Sequence, residues 1–359
     1  MQLPSILMRS AAICVAAGML LAANQALADS DNDGFQFGLW GDMPYAKNGD
    51  GAKNGPRMQA VIGDMNAARL AFTIFDGDTK DGSSVCDDTT IGPDTLNFFS
   101  QVVPPTVYVL GDNEWTDCHR TNNGGFNALE RLTFLRQNVF NSVMSFGQHK
   151  MLLQHQGQPG KPYSENTRWI RDGVVFVGLN VPGSNNNKVN SGQCTSSKSV
   201  RTQADCDADN AEYVDRNAHN LDWLTASFQR ARQIHAKGLM IVIQADPGFD
   251  LPETEDVNDR LALLPTVDGY NDLLDAIVNE TNNFDGQVVL VHGDTHFFKI
   301  DKPLNPLVAT PPAPGQTNMV KNFTRVETFG SPNLDWIRVT VRPRSRSVFT
   351  FEPMIVPGN

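Results

Sequence analysis

The chain has 359 residues, 40% hydrophobic and 19% charged, with 29 Gly and 21 Pro, which excludes a disordered protein and a small disulfide scaffold. Its formal charge is −11 and no Lys/Arg-rich block occurs, so a surface that attracts nucleic acid is excluded; a small anion in a local site is not. Met1 to Ser10 carries one cation, Arg9, before the uncharged apolar stretch Ala11 to Ala23 and the small residues Ala26-Leu27-Ala28. This pattern reads as a secretory signal peptide over residues 1–28, with a retained anchor as the alternative, and it places the rest of the chain, 29–359, in the periplasm or outside the cell with no membrane segment. Cys14 falls inside the signal. Cys86, Cys118, Cys194 and Cys206 remain, an even number that allows three connectivities; spacing favours two local bridges, Cys86 with Cys118 and Cys194 with Cys206. A zinc site is the weaker reading because no Cys-x-x-Cys occurs.

Short apolar runs then alternate with helical patterns. Phe35 to Trp40 reads as a strand, Gly55 to Leu70 as a helix with Pro56 in its first turn, Ala71 to Phe75 and Thr106 to Leu110 as strands, and Phe126 to Phe140 as a helix. Val174 to Leu179 has the continuous apolar character of a central strand. A polar insertion from Pro182 to Asp209 carries the second cysteine pair. After it come a long helix from Asn210 to Ala236, a strand Gly238 to Ile243, a helix near Asp272 to Glu280 and a strand Gln287 to Val291. Phe323 to Phe329, Trp336 to Val341 and Ser347 to Phe351 follow without helices between them, which predicts an antiparallel section completing a second sheet. The order favours an α/β fold in a single domain.

Chemistry concentrates where the strands stop. Gly41-Asp42-Met43-Pro44, Asp76-Gly77-Asp78-Thr79-Lys80-Asp81, Gly111-Asp112-Asn113-Glu114 and His292-Gly293-Asp294-Thr295-His296 each follow an apolar run. One Gly-Asp turn has a local backbone explanation. Four at strand ends line the single crevice that the carboxyl ends of an α/β sheet share, where their mutual repulsion calls for a cation. Aspartate oxygens with one imidazole suit magnesium, calcium or manganese at least as well as zinc or iron.

This order of motifs resembles the calcineurin-like metallophosphoesterase superfamily, which includes purple acid phosphatases, over roughly Phe35 to Phe351. The resemblance implies a four-layer α/β/β/α sandwich of two mixed sheets and hydrolysis of phosphate mono- or diesters at a centre of one or two divalent metals. Residue by residue it assigns Asp42, Asp78, Asp112, Asp294 and His296 as metal ligands, with Pro44 and Ala245 standing where two histidines would be and Asn113 at a third histidine position. The Gly293-Asp294-Thr295-His296 form is similar to the alkaline phosphatase D branch. Asn113 and Lys80 would stabilise developing charge, and His292 is a further catalytic candidate at its strand end. His119 and Arg120 would bind the phosphate if Cys118 is tied to Cys86. For Lys80 the alternative is a solvated turn lysine, for His292 a ring bonded to a backbone carbonyl, and for His119 and Arg120 a disulfide-bound loop. His155 reads as structural or exposed, and Trp40 and Trp115 as packing residues. The substrate would be a small phosphate ester; the alternative function is a catalytically inactive protein of the same fold that binds rather than hydrolyses.

Overall fold

Alternation of inward and outward side chains along nearly uninterrupted apolar strands builds two sheets that each bury both faces. In the computed structural model, residues 34–46, 53, 55–190, 192, 194, 196–249, 266–304 and 319–359 are described, and the signal reading over 1–28 lies outside them. Strands β1 (Phe35–Trp40), β2 (Thr73–Phe75), β3 (Thr106–Tyr108), β11 (Trp336–Val341) and β12 (Phe349–Met354) form one sheet in the order β12-β11-β1-β2-β3. The other contains β4 (Gln154–His155), β5 (Thr167–Arg171), β6 (Val174–Gly178), β7 (Gly238–Val242), β8 (Gln287–His292), β9 (Lys299–Asp301) and β10 (Phe323–Glu327) in the order β4-β5-β6-β7-β8-β10-β9. Both are mixed. β1, β2 and β3 are parallel, as are β6, β7, β8 and β10, while β11, β12, β4, β5 and β9 run antiparallel to their neighbours.

The period of two explains the layers. On β6, Val174 and Phe176 join Phe37, Leu39 and Ile74 in a core between the sheets, whereas Val175 and Val177 point the other way, against Leu224 and Phe228. That outer layer consists of α5 (Gln203–Gln233) and α6 (Asn271–Asn282), which packs Leu273 and Ile277 on the same core. On the far side of the five-stranded sheet, α1 (Pro56–Ala67), α3 (Pro93–Phe99) and α4 (Ala128–Asn138) bury Met58, Phe98 and Leu132 against Trp40 and Phe75; a single turn, α2 (Asp88–Ile91), precedes α3. The molecule is the expected α/β/β/α sandwich.

Two expectations change. The long helix begins at Gln203, inside the polar insertion, because Thr202 and Asp205 form a reciprocal capping box that the count from the first apolar residue overlooks. The C-terminal strands divide between the sheets: β11 and β12 complete the five-stranded sheet antiparallel to β1, but β10 runs parallel to β8 in the other. Both local disulfides form, Cys86–Cys118 and Cys194–Cys206. No described helix is long and apolar enough to cross a membrane.

Candidate metal centre

The carboxyl ends of β1, β2 and β3 meet those of β7 and β8 along the seam between the sheets. Backbone bonds hold the loops in register: Asp42 N–H donates to the Gly77 carbonyl at 2.8 Å, Gly293 N–H to that of Gln244 at 3.0 Å, and Ser331 N–H to that of Asp42 at 2.9 Å. The repeated Gly-Asp pair has a steric cause. A Cβ on Gly41 would collide with the Asp76 carboxylate, one on Gly111 with that of Asp78, and one on Gly293 with that of Asp42. Each glycine is thus the space that another motif's carboxylate fills. Asp42, Asp78, Asp294 and His296 all adopt positive φ, between 48° and 74°, a conformation held by tertiary context and concentrated at functional sites in general.

Asp42, Asp78 and Asp112 are buried and Asp294 is half-buried. The Asp78 carboxylate accepts from the Tyr45 hydroxyl (2.6 Å), the Asn113 side-chain amide (2.6 Å), the Asn113 backbone N–H (3.1 Å) and the Gln244 amide (3.4 Å). Gln244 also donates to Asp294 at 3.3 Å, and the Asp294 N–H donates to Asp42 at 3.1 Å. His296 donates Nδ1–H to the Ser331 carbonyl at 2.7 Å, which turns its Nε2 towards Asp42 Oδ1, 3.5 Å away. Anchoring Nδ1 on a carbonyl is how a ligating histidine presents its other nitrogen to a cation.

Electrostatics set these carboxyls apart from ordinary ones. Burial, then the charges of Asp112, Glu114 and Asp42, pushes the Asp78 carboxyl well up; burial, then Asp112 and Asp42, does the same to Asp294. Asp112 is raised by burial, against the pull of Arg120 and Ser184. For His296 burial opposes the charged ring, but the hydrogen bond and charge of Asp42 outweigh it, and its pKa rises to about 9. Tyr45 is pushed well up by burial and by Asp78 and Asp42, so it remains a neutral donor. Among the described residues no group of three or more His, Cys, Asp or Glu side chains is arranged to hold a metal ion. The donors meet instead through hydrogen bonds, while their chemistry, four crowded carboxylates and an oriented imidazole, fits a hard divalent cation.

The remaining sequence candidates separate. Asn113 is in the cluster, 7% exposed, and its carbonyl accepts from Lys80 Nζ at 2.7 Å. Lys80 is neither solvated nor open to substrate: it is 3% exposed, bonded also to the Asp81 carbonyl, and lies beneath the loop it holds. Arg120 is at the rim, its side chain 40% exposed, 2.6 Å from Asp117 and 3.2 Å from the Ser184 hydroxyl, which itself donates towards Asp112 and Asp117. His119 turns to Ser199 Oγ at 2.8 Å; burial, then Arg201 and Arg120, lowers its pKa to about 3, so it cannot serve as a cationic phosphate ligand near neutral pH. His292 is fully buried with Nδ1 on the Gly293 carbonyl and Nε2 3.5 Å from Arg325, the arrangement of a structural strand-end histidine. Ala245 is in the outer core, and Gln244 takes the place facing the cluster.

Sequence reasoning missed Tyr45, whose signal was the spacing Gly-Asp-x-x-Tyr, and Ser184, which had none. Ser184, Asn185, Asn186 and Asn187 form one left-handed turn with φ between 51° and 61°, a conformation costing roughly 1–3 kcal/mol per residue. Arg216 on α5 holds it by bonding the Asn186 carbonyl and side chain, with the Tyr270 hydroxyl receiving the Asn186 N–H. Gly183, which starts the turn, leaves room where a Cβ would lie 2.7 Å from Asp112 Oδ2 and 2.8 Å from Asp294 Oδ1.

No protein-family model and no curated protein matches the chain. Ten chains of solved structures are similar to it. The sulfate thiohydrolase SoxB of Thermus thermophilus, determined in complex with glycerol, aligns with a TM-score of 0.37 and 12% identity over 84% of this chain. The chain spans 42% of the length of that protein.

Proposed function

We propose that this chain is an exported, divalent-metal-dependent phosphoesterase acting on small phosphate mono- or diesters. The observation that supports the reading is the convergence of four carboxylates from four strand ends in two sheets, with the carboxyls of Asp78, Asp112 and Asp294 raised chiefly by burial and further by neighbouring acidic charge. Asp42, Asp78, Asp112, Asp294 and His296 would hold one or two ions. A bound divalent cation would supply Lewis acidity and a water acidic enough to attack phosphorus. Arg120, anchored on Asp117 and reaching solvent, is the side chain able to pair with a phosphate oxygen, and the Asn113 amide, which donates to Asp78 and Tyr45, would serve as a second donor once a cation takes its place at Asp78. Lys80 is a positioning residue that fixes the Asn113 carbonyl. The two disulfides and the signal-like leader support an oxidising compartment, the periplasm or the exterior.

A specific observation favours a second reading, a non-catalytic binding protein of the same fold. Tyr45, Asn113 and Gln244 already satisfy Asp78 without a cation. Metal analysis of the purified mature protein, with hydrolysis of 4-nitrophenyl phosphate and bis(4-nitrophenyl) phosphate under magnesium, calcium, manganese, iron and zinc, separates them. Bound metal with metal-dependent turnover abolished by Asp78→Asn supports the esterase. Absence of both metal and turnover in every condition eliminates it.

A further inference from the structure

A second candidate site shares no residue with the carboxylate cluster. β3 is the edge of the five-stranded sheet and β4 that of the seven-stranded one, and beside them is a cavity of about 290 Å³. The apolar part of its wall is Val107, Phe140, Phe146 and Leu153. Its mouth includes Leu96 and Met144, 39% and 37% exposed, next to Leu152 at 70%. Lys150 is at the rim and is itself exposed.

Tyr108, Asn141, Ser142 and Ser145 add polar groups to this lining, and two more face each other across a strand pair. His155 on β4 and Thr167 on β5 are directly opposite each other in the antiparallel ladder, so both side chains stand on one face, and both line the cavity. His155 Nδ1 lies 2.5 Å from the Ser164 carbonyl. A carbonyl can only accept, so Nδ1 carries the proton and, in the neutral ring, Nε2 presents a lone pair. That Nε2 and the Thr167 hydroxyl oxygen are buried without a hydrogen-bond partner, and Thr167 is only 2% exposed. Buried polar atoms are nearly always satisfied, and leaving one unmet costs about 1–3 kcal/mol. A single water, whose share of liquid volume is about 30 Å³, could meet both atoms but would leave most of the apolar space unfilled.

We propose that this cavity binds a small neutral molecule with an apolar body and one hydroxyl group, of the phenol class, its O–H donating to His155 Nε2 and its oxygen accepting from Thr167. The apolar side chains of mouth and wall disfavour a charged ligand, and the paired acceptor and hydroxyl disfavour a pure hydrocarbon.

Fluorine NMR of the mature protein with 4-fluorophenol and with fluorobenzene tests this directly. The expected result is a saturable shift of the 4-fluorophenol resonance, reversed by excess 4-methylphenol, with at least tenfold weaker binding of fluorobenzene. Thr167→Val, nearly isosteric, should weaken 4-fluorophenol three- to tenfold, the effect of one hydrogen bond. His155→Phe, which keeps a ring but removes the Nε2 acceptor, should weaken 4-fluorophenol at least threefold; if that variant does not fold, Thr167→Val alone decides. No saturable shift, equal binding of fluorobenzene, or unchanged affinity in Thr167→Val would overturn the proposal.

Discussion

Replacing Tyr45 by Phe isolates the electrostatics of the carboxylate cluster. The ring stays, packed edge-on against His296 with centroids 5.0 Å apart, and only the hydroxyl that donates to Asp78 at 2.6 Å and accepts from Asn113 at 3.1 Å is lost. A hydrogen bond to a charged group contributes about 1.5–3 kcal/mol. With an unfolding entropy of about 2.1 cal/mol/K per residue, a chain of this length should lose roughly 2–4 °C in Tm. The measurement is differential scanning calorimetry in EDTA. A cation that bound Asp42 and Asp78 would take over the role of the missing donor, so added manganese should restore more stability to Tyr45→Phe than to wild type. If the EDTA melting points of the two proteins agree within 1 °C, Tyr45 is not what satisfies Asp78.

Asp294→Asn removes one charge from a group that burial, Asp112 and Asp42 already hold well above the ordinary carboxylate range. It should raise the urea midpoint of the metal-free protein, since the variant no longer carries a carboxyl held above its ordinary range, and abolish any metal-induced rise in Tm. His119 contributes a pH dependence of known sign. Its pKa falls from an ordinary value near 6.5 to about 3, so between those values the unfolded chain binds the proton and the folded one does not. Stability from this residue is complete above about pH 6.5 and is lost as pH falls towards 3; His119→Gln should flatten that part of the urea midpoint profile, and an identical slope would contradict the assignment. The disulfides should differ by loop length, with sequence separations of 32 and 12. Chain entropy makes Cys86→Ala/Cys118→Ala more costly than Cys194→Ala/Cys206→Ala by about 1 kcal/mol, measurable as a larger fall in urea midpoint.

The layers were legible because period-two alternation inside β1, β6 and β8 and the caps and spacing of the helices carry local physical information. Partnership across sheets did not. Nothing local to Phe323–Glu327 distinguishes pairing with β8 from pairing with β11, and nothing in Lys80 itself says that its amine ends on the carbonyl of Asn113. The acidic strand ends were visible as Gly-Asp pairs, but the reason for the glycine, room for a carboxylate from another loop, belongs to the assembled structure. Ser184 was hidden for the opposite reason: a left-handed run of non-glycine residues contradicts local preference and exists because Arg216 and Tyr270 hold it from elsewhere.

The interlocking of Gly293 with Asp42 reaches across the two sheets, since Asp42 follows β1 and Gly293 follows β8. The cluster is therefore a fastening as well as a pocket: its members come together only when one half of the sandwich has docked on the other. Sliding the sheets apart would unseat the carboxylate from its glycine, part the Asp42 and Ser331 backbone groups and separate the acidic side chains in one motion. Any ion spanning the donors would act as a rivet through that joint, and the tightness of the joint would vary with the concentration of the ion.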